Sequence, residues 1–273
     1  MGRPKKEAQG DAPPTTGLIP WKEQMKKDAK IASAMEAHTG GGKFFSMKAG
    51  VLSFDGNPIK GNKMPVIISA HILENVFYAG KFADSDPQPP ACWAFGNDEP
   101  TMEPHKVCVD AGTAKGSEQG TCKGCPMNEW ASAETGKGKA CRNTRRLCLL
   151  PAGKLDAQGR FVAETDAALF KTLDFAYMRL PVTSVKAFSA YVKQIEATTG
   201  MPPHGVVTLI SVVPDQKTQF KVQFECLEEV SDAVGPISAQ RHEEAVKTID
   251  FPYPTQNEDA AKPKAGKAGK KKF

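Results

Sequence analysis

The stretch CKGCPMNEWASAETGKGKACRNTRRLCLLP, residues Cys122–Pro151, contains two kinds of chain. Its greater part holds Cys122, Cys125 and Cys141 among glycines, lysines and polar residues with no apolar period, whereas the closing RRLCLLP is apolar enough for a buried strand. The first part cannot bury enough hydrocarbon to order itself, so something other than a core must hold it. Cys122 and Cys125 form a CxxC knuckle, whose tight turn lets two thiolates reach one tetrahedral ion, and Cys141 follows after fifteen residues. That spacing predicts zinc. A redox pair is the alternative, disfavoured because no βαβ unit puts the pair at a strand-to-helix junction. The fourth ligand is open among Cys92, Cys108, Cys148 and His105. Cys148 and Cys226 lie in apolar runs and read as core fillers, and Cys108 leads into a glycine-bearing loop. Cys92, presented behind the prolines of PPACWAFG, is favoured, with Cys108 second.

Upstream, apolar residues at helical spacing predict one short, exposed helix over 21–37, closed by Gly40–Gly42. KFFSMKAGVLSFDG and MPVIISAHILENVFYAG predict strands joined by a turn at 57–62. Downstream come short strands near 160–162 and 174–180. An amphipathic helix follows over PVTSVKAFSAYVKQIEATTG, with Val185, Phe188, Val192 and Ile195 on its apolar face, Ser184 as N-cap and Gly200 as its stop. GVVTLISVV and TQFKVQFECLEEV, separated by PDQK, predict a hairpin, and a last helix is expected near 237–249. The pattern predicts an α+β, β-rich fold: an oligonucleotide-binding-type (OB-like) Greek-key barrel with an inserted zinc-binding subdomain. Residues 1–40 are expected to be disordered apart from the helix. The core should span 41–232 with the insertion at about 88–150, and 233–273 should be a C-terminal helix and a disordered lysine-rich tail.

Composition and charge narrow the function. Of the 273 residues, 40% are hydrophobic and 25% charged, and no run approaches a membrane span. The N-terminal MGRPKKEAQGDAPPTTG has basic residues without an apolar segment behind them, and the seven cysteines are odd in number and clustered. Reduced thiols and a cytoplasmic setting are therefore expected. The net charge of +5 is uneven: residues 260–273 hold six lysines and no acid, leaving −1 elsewhere. Residues 122–148 hold Lys123, Lys137, Lys139, Arg142, Arg145 and Arg146 against Glu129 and Glu134. Such a patch predicts a polyanionic partner. Trp93 and Trp130 beside it offer flat faces for bases, an arrangement suited to single strands because every base has a π-face. Phe95 is a third candidate face for which core packing is the favoured alternative, and Phe44, Phe45 and Tyr78 read as core.

The residues P-x-C-W-A-F-G, C-x-x-C-P-x-N-x-W and G-K-G-K-A-C with R-R-L behind resemble a family of phage-encoded single-stranded-DNA-binding proteins with a zinc-bearing, OB-type domain. The T-even phage helix-destabilising protein is a more distant analogue. The resemblance is most specific over 90–150 and extends more weakly to about 230. It implies Cys92, Cys122, Cys125 and Cys141 as zinc ligands, and Ala131 stands where the family more often has glycine. It also implies sequence-independent coating or annealing of single-stranded DNA in phage replication or recombination, inside the host cell and beside replication or recombination proteins.

Enzyme motifs are weak. HTGGGKFF has Phe44 where a phosphate loop needs Ser or Thr, and RHEEA lacks a second histidine after His242. Asp84 and Asp86 have no third acid for a two-metal site, and His71, His105 and His204 are isolated. The expectation is a non-enzymatic DNA-binding protein with a structural zinc. The alternative is a zinc-stabilised module that docks on a host polymerase or nuclease.

Overall fold

The computed structural model describes residues 25, 44–80, 89–114 and 120–253. The helix expected over 21–37 lies outside them but for Met25, and Asp84, Asp86 and the lysine tail lie outside them as well. The chain divides after Gly42, and Lys43–Phe273 is one compact unit.

In chain order that unit begins with a small antiparallel sheet, β1 (Phe45–Ser46), β2 (Ser53–Phe54) and β3 (Asn57–Pro58). The long strand β4 (Lys63–Phe77), β5 (Cys92–Gly96), the short helix α1 (Lys106–Asp110) and β6 (Arg142–Pro151) come next. A hairpin of β7 (Gly153–Leu155) and β8 (Phe161–Ala163) leads to α2 (Ala167–Thr172) and β9 (Ala176–Leu180). The chain continues through α3 (Val182–Thr199), β10 (Val206–Asp215), β11 (Gln219–Glu229) and α4 (Gly235–Thr248).

The main sheet is six-stranded and antiparallel, in the order β11-β10-β4-β6-β9 with β5 beside β4. One edge of β4 pairs with β6 from Val66↔Pro151 to Val76↔Arg142. The other edge is shared, by β10 at Lys63–Val66 and by β5 at Leu73–Phe77. A fifteen-residue strand can serve two partners on one edge only because it outruns both, and this sets β5 and the segment after it at the far end of the sheet.

Side-chain alternation sends Val66, Ile68, Leu147 and Leu149 to one face, under Phe188, Tyr191 and Ile195 of α3. Ile67, Cys148 and Leu150 go to the other, under Phe170 of α2 and Ile237 and Ala245 of α4. Strands buried on both faces read as continuous apolar runs, which explains VIISA and LCLL. The expected closed barrel is not formed: β9 and β11 are the two ends of the order and do not pair. A barrel buries one face inside itself, whereas here one face is covered by α3 and the other by α2 and α4. α4 packs on β4, so residues 233–253 belong to the body and not to a separate terminal segment.

Two local corrections follow from packing. Ser184 is not the N-cap of α3, which is Pro181. It lies inside the helix, fully buried, where its Oγ accepts from Val222 N–H at 3.0 Å. Tyr191, absent from the expected apolar face, is buried with its hydroxyl 2.6 Å from Thr208 Oγ1. Gly200 ends the helix as expected, at φ 69° with its N–H on Glu196 O. A bulge in β4 at Ser69 frees that residue's carbonyl from the ladder, and His242 Nδ1–H donates to it at 2.6 Å. No helix among the described residues is long and apolar enough to cross a membrane.

Candidate functional site

β5 pairs with the end of β4 so that Cys92 lies opposite Phe77 and Ala94 opposite Asn75. The loop after β5 returns beneath this corner. Cys122 N–H donates to Met102 O and Cys141 N–H to Met127 O, both at 2.7 Å, and Asn128 N–H donates to Cys125 O at 2.8 Å. Gly124 turns the CxxC knuckle at φ 80°, a conformation in which a side chain would be strained. As a result Cys92, Cys122, Cys125 and Cys141 line one cavity of about 20 Å³, together with Asn75, Phe77 and Asn128. That volume holds one occupant of about the size of a water molecule.

Burial pushes the Cys122 thiol up to about 11 and the Cys141 thiol up to about 12, and the neighbouring cysteines add to both. Without a cation these thiols stay protonated at neutral pH. A cation favours the thiolates, the form in which cysteine ligates. Asn75, 4% exposed, has a buried Nδ2 with no hydrogen-bond partner. The same amide is the group that favours a thiolate at Cys122, so an ionised Cys122 would satisfy it. Behind the knuckle, Asn128 Nδ2 donates to Cys122 O at 3.0 Å, while its Oδ1 accepts from Asn143 Nδ2 at 3.0 Å and Lys139 Nζ at 3.3 Å. These bonds orient the loop as outer partners orient metal ligands.

No three His, Cys, Asp or Glu side chains among the described residues are gathered closely enough to hold an ion as they stand. The side chain of Cys92 explains part of this, because it hydrogen-bonds Cys108, whose thiol is lowered by that contact. Cys108 is buried beside Trp93, its sulfur accepting from Trp93 N–H at 3.4 Å, and it does not line the cavity. His105 is committed elsewhere: its Nδ1 caps α1 by accepting from Val107 N–H, and its ring stacks on Trp93. Cys148 is fully buried beneath α4, and Cys226 packs against the α3 core, as core fillers do.

No family model, curated protein or solved structure matches this chain. The site therefore rests on its own residues.

Outside the cavity, Trp130 is 74% exposed on the loop that the cysteines bracket. It lines an open groove of about 250 Å³ with Glu99, Lys123, Asn128 and Lys139. Lys139 Nζ lies 5.8 Å from the centre of its ring. Lys137 is exposed on the same loop. Arg145 is half-buried, and Glu99 favours its charge while burial opposes it. Arg142 is exposed, its guanidinium over Tyr78 at 5.6 Å.

Two expected nucleic-acid contacts are overturned. Trp93 is 3% exposed, wedged between His105 and Tyr253, so no base can reach its ring. Arg146 is 1% exposed, and its guanidinium is spent on Glu74, on the carbonyls of Ile249 and Phe251, and on the ring of Phe95 4.2 Å away. Sequence reasoning missed Asn75, Asn128 and Glu74. An acid inside the apolar run HILENVF, opposite a strand carrying two arginines, was the available sign of Glu74.

Proposed function

We propose that this protein binds single-stranded DNA without sequence preference, as a non-enzymatic coating or annealing factor of phage replication or recombination, with a structural zinc held by Cys92, Cys122, Cys125 and Cys141. The observation that carries this reading is the coupling of cavity to surface: four cysteines line one ion-sized space, and the loop they bracket carries an exposed tryptophan flanked by lysines.

The donor set fits the metal. Thiolates suit zinc, and four protein ligands leave no position for a reactive water, so the ion would act as a fastener. The chain's own residues then do the binding. Trp130 stacks on a base, while Lys123, Lys137, Lys139 and Arg145 follow the phosphates.

The test is anisotropy titration of a labelled dT oligonucleotide and the matching duplex over a range of salt, with zinc assayed on the same sample. Tight, salt-steep binding to the single strand with one zinc per chain is expected, and Trp130→Ala should weaken it about tenfold. Absence of strand binding at low salt refutes the reading and leaves the protein-docking alternative, for which Trp130 is the anchor to test.

A further inference from the structure

At the same end of the sheet, on the face opposite the thiol cavity, a second cationic site is built around a buried acid. Glu74 is fully buried and serves two arginines. Its Oε1 accepts from Arg146 Nε at 3.1 Å and Nη2 at 2.6 Å, and its Oε2 accepts from Arg179 Nε at 2.9 Å. Arg146 is sealed inside, but the Arg179 side chain is 31% exposed. Arg179 lies 4.8 Å over the ring of Tyr253, and its Nη1 donates to the Tyr78 hydroxyl at 3.4 Å. Tyr78 is half-buried, with Arg142 over its ring.

The charges do not balance. Glu74 is the one acid ion-paired with either guanidinium among the described residues, so one carboxylate faces two arginines and the cluster keeps +1. Arg142 raises the local excess to +2. Partly buried positive charge left in excess favours an anion beside it. Arg179 is pre-organised for one: Glu74 takes its Nε and the Tyr78 hydroxyl its Nη1, which fixes the plane of a guanidinium that stays partly exposed and can meet a phosphate. Tyr78 sets an aromatic ring between the two arginines, and alternating aromatic and cationic groups are how single strands are held without sequence readout.

We propose that Tyr78, Arg142 and Arg179 form a second contact for the nucleic-acid strand, the two arginines taking a phosphodiester and Tyr78 the adjacent base. The proposal rests on the single-strand reading above and extends it to the opposite face of the sheet. Trp130 and Tyr78 then mark two points of one path around the end of the sheet.

The experiment uses the full-length, zinc-containing chain and a labelled dT oligonucleotide, comparing Tyr78→Leu and Arg142→Gln with Trp130→Ala. Tyr78 and Arg142 lie outside the Glu74–Arg146 ion pair, so both variants should fold, with melting temperature as the check. Tyr78→Leu should weaken strand binding about tenfold, and Arg142→Gln should reduce the salt slope by about 0.7, the contribution of one phosphate on a single strand. Photo-cross-linking of a 5-bromodeoxyuridine strand should label Tyr78. If Trp130→Ala weakens binding while Tyr78→Leu and Arg142→Gln match the parent in affinity and slope, the second contact is refuted and the single-strand reading stands. If the parent binds no strand, both fall. If inorganic phosphate raises the melting temperature of the parent but not of Arg142→Gln, with equal strand affinities, the site takes small anions and the proposal is overturned.

Discussion

Replacing Glu74 with glutamine tests the account of the buried charge cluster. The substitution keeps shape and removes charge, leaving Arg146, 1% exposed, without its counter-ion. Arg146 would keep the carbonyls of Ile249 and Phe251 as acceptors at 3.0 and 2.9 Å, but Arg179 Nε and the hydroxyls of Thr144 and Tyr253 would lose a charged acceptor. Breaking a buried pair by removing one partner costs about 3–5 kcal/mol. That is a large share of the roughly 5–15 kcal/mol available to a domain. With a urea slope of about 2 kcal/mol per molar, a loss of about 4 kcal/mol lowers the unfolding midpoint by about 2 M. The assay is urea unfolding followed by tryptophan fluorescence, with limited proteolysis of residues 249–253, which Arg146 holds by two carbonyls. The double variant Glu74→Leu/Arg146→Met should cost less than Glu74→Gln alone, because it leaves no stranded charge. A loss below about 1 kcal/mol in Glu74→Gln, with an unchanged proteolysis pattern, would refute the argument that this pair organises the end of the sheet.

Cys122→Ser or Cys141→Ser should abolish zinc binding and much of the folded state, since binding energy at such sites is folding energy; stoichiometric zinc in either variant would show that the ligands are misassigned. Ala131 sits at φ 65°, in the left-handed region, so Ala131→Gly should raise the unfolding midpoint by the equivalent of about 1 kcal/mol. His204 stacks on His242 at 4.0 Å, and burial together with that neighbour lowers its pKa. The unfolded chain then takes up a proton at about pH 6.5 that the folded chain resists. Stability should therefore be intact above that pH and fall as pH drops below it, and the urea midpoint of His204→Asn should fall less between pH 7.5 and 5.5 than the parent's. Deleting residues 260–273 removes six lysines and should weaken strand binding and flatten its salt dependence; an unchanged slope would take the tail out of binding.

How far the sequence reads depends on whether a signal is local. The hairpin of β10 and β11, the helix over 182–199 and its glycine stop are set by period and by turn residues within a few positions, so they are legible in the chain itself. So is the CxxC knuckle, because a turn of four residues carries its own geometry. Barrel closure is not local. It depends on which strands meet at the edges, and apolar surface on both sides of β4 and β6 let helices take each face instead.

The same division holds within the site. Composition determined that the segment 122–141 lacks a core of its own and that 122–148 carries a surplus of positive charge, and the spacing of Cys122, Cys125 and Cys141 singled out three of the thiols that line the cavity. Only tertiary structure decided which basic and aromatic residues face outward. Arg145 and Arg146 are neighbours in sequence, yet strand alternation sends one toward Glu99 and the other into the interior with Glu74. Trp93 is buried and Trp130 exposed for the same reason: one lies on a strand paired into the sheet, the other on a loop that carries it into solvent. Residue type sets the chemistry each side chain can perform, but exposure is a property of the assembled neighbours, and it decides whether that chemistry is available.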